Sequence, residues 1–196
     1  MRVPALVVAI LLTVSGPGVR AEEVPARILI AYYSASGHTR TMAEAVARGA
    51  RSVEGAVVTL RSVGEVKNAE LLAADAIIVG SPVYNAAPAP AVQQFINGWP
   101  FEKEPLKDKI GAAFVTAGGI SAGEELVQLS LLHSMLVFGM IVVGGPGWSA
   151  AFGASAVVDE PPFGDSEKPG RVDPQFLRKG EELGARVATL AVRMRR

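Results

Sequence analysis

The sequence contains no cysteine. That absence excludes disulfides, a thiolate nucleophile, iron–sulfur clusters, cysteine-based zinc sites and a lipid anchor attached through sulfur. Any redox chemistry must therefore come from a bound cofactor. An excess of one charge is also lacking. Nineteen Lys and Arg balance nineteen Asp and Glu, so there is no electrostatic footprint for nucleic acid and no such partner is expected. The basic end, Arg193-Met194-Arg195-Arg196, is short and reads as a helix terminus that complements the dipole. No Walker loop of the form GxxxxGKS or GxxxxGKT is present.

Long apolar runs are scarce, and the main one stands at the start. Met1-Arg2 precedes an apolar stretch over 5–14, Ser15-Gly16-Pro17-Gly18 breaks it, and Val19-Arg20-Ala21 follows. The stretch is shorter than the ~20 residues of a spanning helix. The pattern predicts a secretory signal peptide over 1–21, cleaved after Ala21, and hence an exported, periplasmic protein. An uncleaved anchor is the alternative. Residues 22–196 fit one domain on the usual span of ~100–200 residues.

What is present is alternation. Residues 28–33 read as a buried strand, and 39–53 as a helix with Met42, Ala45, Val46 and Ala50 on one face. Strands are expected at 56–60, 76–80, 110–116 and 140–144. Helices are expected at 68–73, 89–97 and 124–138. A last helix opens at Asp173-Pro174, with Asp as cap and Pro in the first turn. The alternation predicts a parallel sheet wrapped by helices, with right-handed crossovers. The Gly- and Pro-rich stretch 145–171 is long for a connection, and such loops tend to be functional or disordered.

The first strand runs through Ser34-Ala35-Ser36-Gly37-His38-Thr39 into its helix. Free N–H groups of a helix start, together with hydroxyls, bind phosphate without lysine. An ordinary capped turn is the plain alternative. In open α/β sheets ligands lie beyond the carboxyl ends of the strands. Three loops meet that description: 34–39, 81–87 and 116–123. All are rich in small and hydroxyl residues, and none offers a carboxylate pair or a triad. They suit a flat, uncharged ring with a phosphate tail. Gly145-Pro-Gly147-Trp-Ser-Ala150 matches a loose GxGxxA, but no helix is expected after it, so no dinucleotide site is assigned there.

Tyr33-Ser-Ala-Ser-Gly-His-Thr39, Gly80-Ser-Pro-Val-Tyr-Asn85, Phe114-Val-Thr-Ala-Gly-Gly119, Gly139-Met-Ile-Val142 and Phe152-Gly-Ala-Ser155 resemble segments of the flavodoxin-like superfamily. Within it the chain is similar to the WrbA-type NAD(P)H:quinone oxidoreductases, from Ile28 to the last helix. The resemblance implies a three-layer sandwich with a five-stranded parallel sheet of order 2-1-3-4-5. It implies FMN as cofactor, NAD(P)H and a quinone as donor and acceptor, and a homo-oligomer. By that likeness Ser34, Ser36, Gly37, His38 and Thr39 hold the phosphate. Pro82, Val83, Tyr84 and Asn85 line one side of the ring, and Thr116, Ala117, Gly118 and Gly119 meet its polar edge.

The likeness has two departures. The family commonly has glycine at the place of Ala86, where a Cβ resists some backbone conformations. The family's late histidine falls at Phe138 or its neighbours, so His133 is assigned no chemistry and is expected to be a partly buried helix residue. Trp99 is expected either as a hydrophobic plug or as an aromatic wall near the ring. Trp148 and Phe152 are expected to close a pocket, to anchor the late loop or to meet a second copy. Glu124 and Glu125 are assigned only to the helix dipole. A flavodoxin-like electron carrier without NAD(P)H activity is the alternative function.

Overall fold

The computed structural model describes residues 24–195, so the expected signal peptide lies outside the described residues. The first strand, β1, spans Ala26–Tyr32. Its side chains alternate between two cores: Ile28 and Ile30 enter one, Leu29 and Ala31 the other. A strand buried on both faces is expected to be apolar throughout, and this one nearly is. β2 (Ala56–Ser62) pairs with β1 on one side, and β3 (Ala76–Tyr84) pairs on the other, both parallel. After the short β4 (Ala87–Pro88) comes β5 (Ile110–Ala117), parallel to β3.

α1 (His38–Arg51) and α5 (Pro174–Met194) cover one face. α2 (Asn68–Ala73), α3 (Pro90–Asn97) and α4 (Glu124–Val137) cover the other. α5 starts where expected, with the Asp173 carboxylate accepting the Gln175 N–H at 2.9 Å. α1 and α5 touch backbone to backbone. A Cβ on Gly49 would lie 1.8 Å from the Glu181 carbonyl, and one on Gly184 would lie 1.9 Å from the Val46 carbonyl.

Two expectations need correction. Residues 81–84 are strand, not loop: Ser81 and Pro82 continue β3 opposite Val115 and Thr116. Proline is tolerated there because β1 stops at the level of Gly80, leaving that edge without a partner for the missing N–H. The fifth strand is not a single run over 140–144. Its place is shared by β6 (Ile141–Val142), beside the start of β5, and β7 (Ala154–Val157), beside the end of β5. Between them the chain detours through Gly144-Gly145-Pro146-Gly147 and one short helical turn, Trp148–Ala150. A Cβ on Gly144 would lie 1.9 Å from the Ala151 carbonyl, so the detour closes tightly on itself. Counted by parallel positions the order is 2-1-3-4-5, as expected. No helix among the described residues is long and apolar enough to cross a membrane.

Candidate functional site

The carboxyl ends of β1, β3 and β5 bring the three expected loops to one rim of the sheet. The first is the corner between β1 and α1. Gly37 caps α1 at φ 95, a backbone conformation that glycine adopts without steric cost. The Ser34 hydroxyl accepts the Gly37 N–H at 3.1 Å, which closes the turn. Helical bonding begins with Thr41 N–H to the Gly37 carbonyl at 3.0 Å. The N–H groups of His38, Thr39 and Arg40 are thus the orphan donors of α1. The first turn of α1 itself carries no acid, which leaves its positive dipole end uncompensated by its own side chains.

The side chains at this corner are held from several directions. Ser36 Oγ and His38 Nδ1 lie 2.9 Å apart. His38 is only 5% exposed and is no solvent-facing turn residue; its Nε2 lies 3.4 Å from the Lys168 carbonyl. Thr41 donates to the Gly170 carbonyl at 2.8 Å. The late stretch around 168–170 therefore lies directly against the corner. Thr39 is buried and meets Thr116 of the third loop, hydroxyl to hydroxyl, at 2.8 Å.

The second element is the β3–β4 hairpin. Its two-residue turn, Asn85-Ala86, has φ 50 and 60, the left-handed pair of a type I′ turn. Pro82 and Val83 are half-buried, and Tyr84 and Asn85 are exposed on the rim. Partial loss of water around the phenol, and then the neighbouring Tyr33 hydroxyl, push the Tyr84 pKa up. Ala86 abuts the third loop. A Cβ on Gly123, the cap of α4, would fall 2.7 Å from the Ala86 Cβ.

In the third element Thr116 and Ala117 end β5 and are buried, while Gly118 and Gly119 are half-buried. This loop is zipped to the stretch after β7. Val158 N–H donates to the Ala117 carbonyl at 2.9 Å, and Asp159 N–H donates to the Gly118 carbonyl at 3.1 Å. The Glu160 carboxylate accepts the Ile120 N–H at 2.6 Å. The sequence offered no sign of Asp159 or Glu160, because β7 was hidden inside a stretch read as loop.

Other expected residues fall elsewhere. Trp99 is a plug: it is buried with its ring 5.6 Å from Phe95 and 5.3 Å from Phe138. His133 is exposed on α4 rather than partly buried. Trp148 is 93% exposed, so it neither closes a pocket nor anchors its loop within this chain. Glu124 and Glu125 occupy the first turn of α4, as the dipole favours. A cavity of about 880 Å³ abuts the first corner on the β2 side, lined by Tyr33, Ser34, Gly37, Arg40, Glu65, Gln94 and Phe95 among others. Pro82, Val83, Tyr84 and Asn85 do not line it, nor does any residue of 116–119.

Several known proteins are similar to this chain in sequence and fold. The family model described as NADPH-dependent FMN reductase matches residues 65–155. An NAD(P)H dehydrogenase (quinone) of Azorhizobium caulinodans is 31% identical over 194 residues, covering 83% of this chain and 97% of that protein. A flavodoxin of Aquifex aeolicus is 33% identical, covering 72% of this chain and 79% of that one. The crystal structure of a WrbA-like flavodoxin from Agrobacterium tumefaciens superposes with a TM-score of 0.69 at 26% identity, covering 87% and 99% of the two chains. The chain belongs to the flavodoxin-like, WrbA-type family of NAD(P)H dehydrogenases (quinone).

Proposed function

We propose that this protein binds FMN and passes two electrons from NAD(P)H to a quinone or a similar acceptor. The observation that carries the reading is the corner at Gly37. It offers orphan N–H groups, nearby hydroxyls and no acid, at the same rim as the hairpin and the Gly118-Gly119 loop. A phosphate fits that donor set. The similarity to NAD(P)H dehydrogenases (quinone) and to NADPH-dependent FMN reductases supports the donor and acceptor classes. When bound, FMN supplies the hydride chemistry.

The residues of the chain position that group. His38, Thr39 and Arg40 present backbone donors to the phosphate, and Ser34 holds the turn in shape. Pro82, Val83, Tyr84 and Asn85 would wall one side of the ring, and the backbone of 116–119 would meet its polar edge. The test is quinone-dependent oxidation of NAD(P)H by the FMN-loaded protein, which should vanish when FMN is stripped and return when it is added back.

A carrier role is the second reading. The flavodoxin relative favours it, as does the expected export, since NAD(P)H is scarce outside the cytoplasm. Export itself rests on the sequence pattern of 1–21. N-terminal sequencing of protein from its host should start near Glu22, and intact Met1 on soluble cytoplasmic protein would contradict it. We place a homo-oligomer contact on the exposed apolar residues Leu126, Leu136 and Val137 of α4 and on Trp148. Light scattering with and without FMN tests it, and a monomer in both states would overturn it.

A further inference from the structure

The geometry points to Glu160 as a positioning residue for the third loop: its carboxylate clasps the 118–120 backbone in the shape that receives the cofactor's polar edge. The inference rests on the FMN reading for its consequence, but the clasp itself is a property of the chain.

Three observations converge. The first is the bond from Ile120 N–H to Glu160 Oε2, at 2.6 Å, which joins residues forty positions apart. A hydrogen bond to an ionised acceptor is short and stronger than a neutral one. The second is steric. A Cβ on Gly119 would lie 2.6 Å from Glu160 Oε2, and one on Gly118 would lie 3.2 Å from Asp159 Oδ2. The two glycines thus leave the space that the two carboxylates occupy. The third is the neighbouring pair of backbone bonds, Val158 to Ala117 and Asp159 to Gly118, which fixes the register of the two segments.

Together these bonds engage the carbonyls of Ala117 and Gly118 and the N–H of Ile120. Among the described residues, neither Gly118 nor Gly119 gives its N–H to a backbone carbonyl. The clasp therefore holds a backbone in which the Gly118 and Gly119 N–H groups are not spent on backbone carbonyls. A loop fixed in advance binds with less loss of freedom than one that must order on binding. Glu160 binds the loop backbone through Ile120 N–H, so in this reading it acts on affinity through position.

Two readouts on three variants test this. FMN affinity of the apo-protein is measured by fluorescence quenching, and amide exchange at Ile120 is measured without FMN. Glu160→Ala should weaken FMN binding roughly tenfold and speed Ile120 exchange by a similar factor, the scale of one charge-assisted hydrogen bond. Glu160→Asp, one methylene too short, should behave like Ala and serves if the alanine variant does not fold. Glu160→Gln keeps an acceptor oxygen and should stay within about threefold of the parent in both readouts. Parent-like affinity and exchange in both Glu160→Ala and Glu160→Asp would overturn the proposal. So would a Gln variant as impaired as Ala. If the parent binds no FMN, the FMN reading fails, and the exchange at Ile120 alone decides the clasp.

Discussion

Thr39 and Thr116 face each other across 77 residues of sequence with their hydroxyl oxygens 2.8 Å apart, and both are buried. The contact bolts the first turn of α1 to the end of β5. It therefore sets the spacing between the corner expected to hold phosphate and the loop expected to meet the ring. Thr116→Val leaves the Thr39 hydroxyl buried without its partner, at a cost of about 1–3 kcal/mol. Combining it with Thr39→Val removes both groups and should recover part of that loss. Urea unfolding of the two single variants and the double closes the cycle. A double variant as unstable as the sum of the singles would mean that the two hydroxyls do not interact.

Ala86 sits at φ 60, where a side chain is strained. Left-handed conformation costs a non-glycine residue about 1–2 kcal/mol, partly offset by the extra freedom glycine brings to the unfolded chain. Ala86→Gly should therefore stabilise the fold by about 0.5–1 kcal/mol. The reverse change across the contact, Gly123→Ala, should destabilise it. The new Cβ would meet Ala86 at 2.7 Å, on a backbone held at φ 100. Thermal melts of both variants check the opposite signs.

Ser36 lies among the donors at the start of α1. Ser36→Glu places a second anion where phosphate is expected and should abolish FMN binding. Ser36→Ala removes only a hydroxyl that meets His38 at 2.9 Å, and should cost about 0.5–1.5 kcal/mol of affinity. A glutamate variant that binds FMN like the parent would move the phosphate to another place.

Tyr84 supplies a pH dependence. Partial desolvation of the phenol raises its pKa first, and the Tyr33 hydroxyl raises it further. The fold thus favours the neutral phenol. That contribution is fully present below the ordinary tyrosine pKa of about 10, and it is lost as pH rises through the folded value. Stability of the parent should fall more steeply on the alkaline side than that of Tyr84→Phe. Identical alkaline profiles by circular dichroism would remove this role.

Much of the fold could be read because its signals are local. β1 and α1 are a doubly buried run followed by a helix start, and α2 lies at the expected 68–73 because its pattern is bounded on both sides. The corner at Ser34–Thr39 was visible for the same reason. What escaped depends on partners distant in sequence. Ser81 and Pro82 are expected to open a loop, yet they continue β3, where Pro82 is tolerated because β1 has already ended beside it. The fifth strand looked continuous, but the Gly144–Gly147 detour divides it between β6 and β7. Glu160 carried no local sign because its donor, Ile120, lies forty residues upstream. His133, expected to be partly buried, is exposed: α4 is apolar on most sides, so its sequence pattern does not mark which face is covered.

The central claim is that the rim holds FMN and delivers electrons through it. Anaerobic addition of NAD(P)H to the FMN-loaded protein, followed in the visible spectrum, tests it most directly. The account predicts that the yellow band bleaches and that a quinone restores it. A protein that takes up no FMN, or whose bound flavin stays oxidised in excess NAD(P)H, would contradict it.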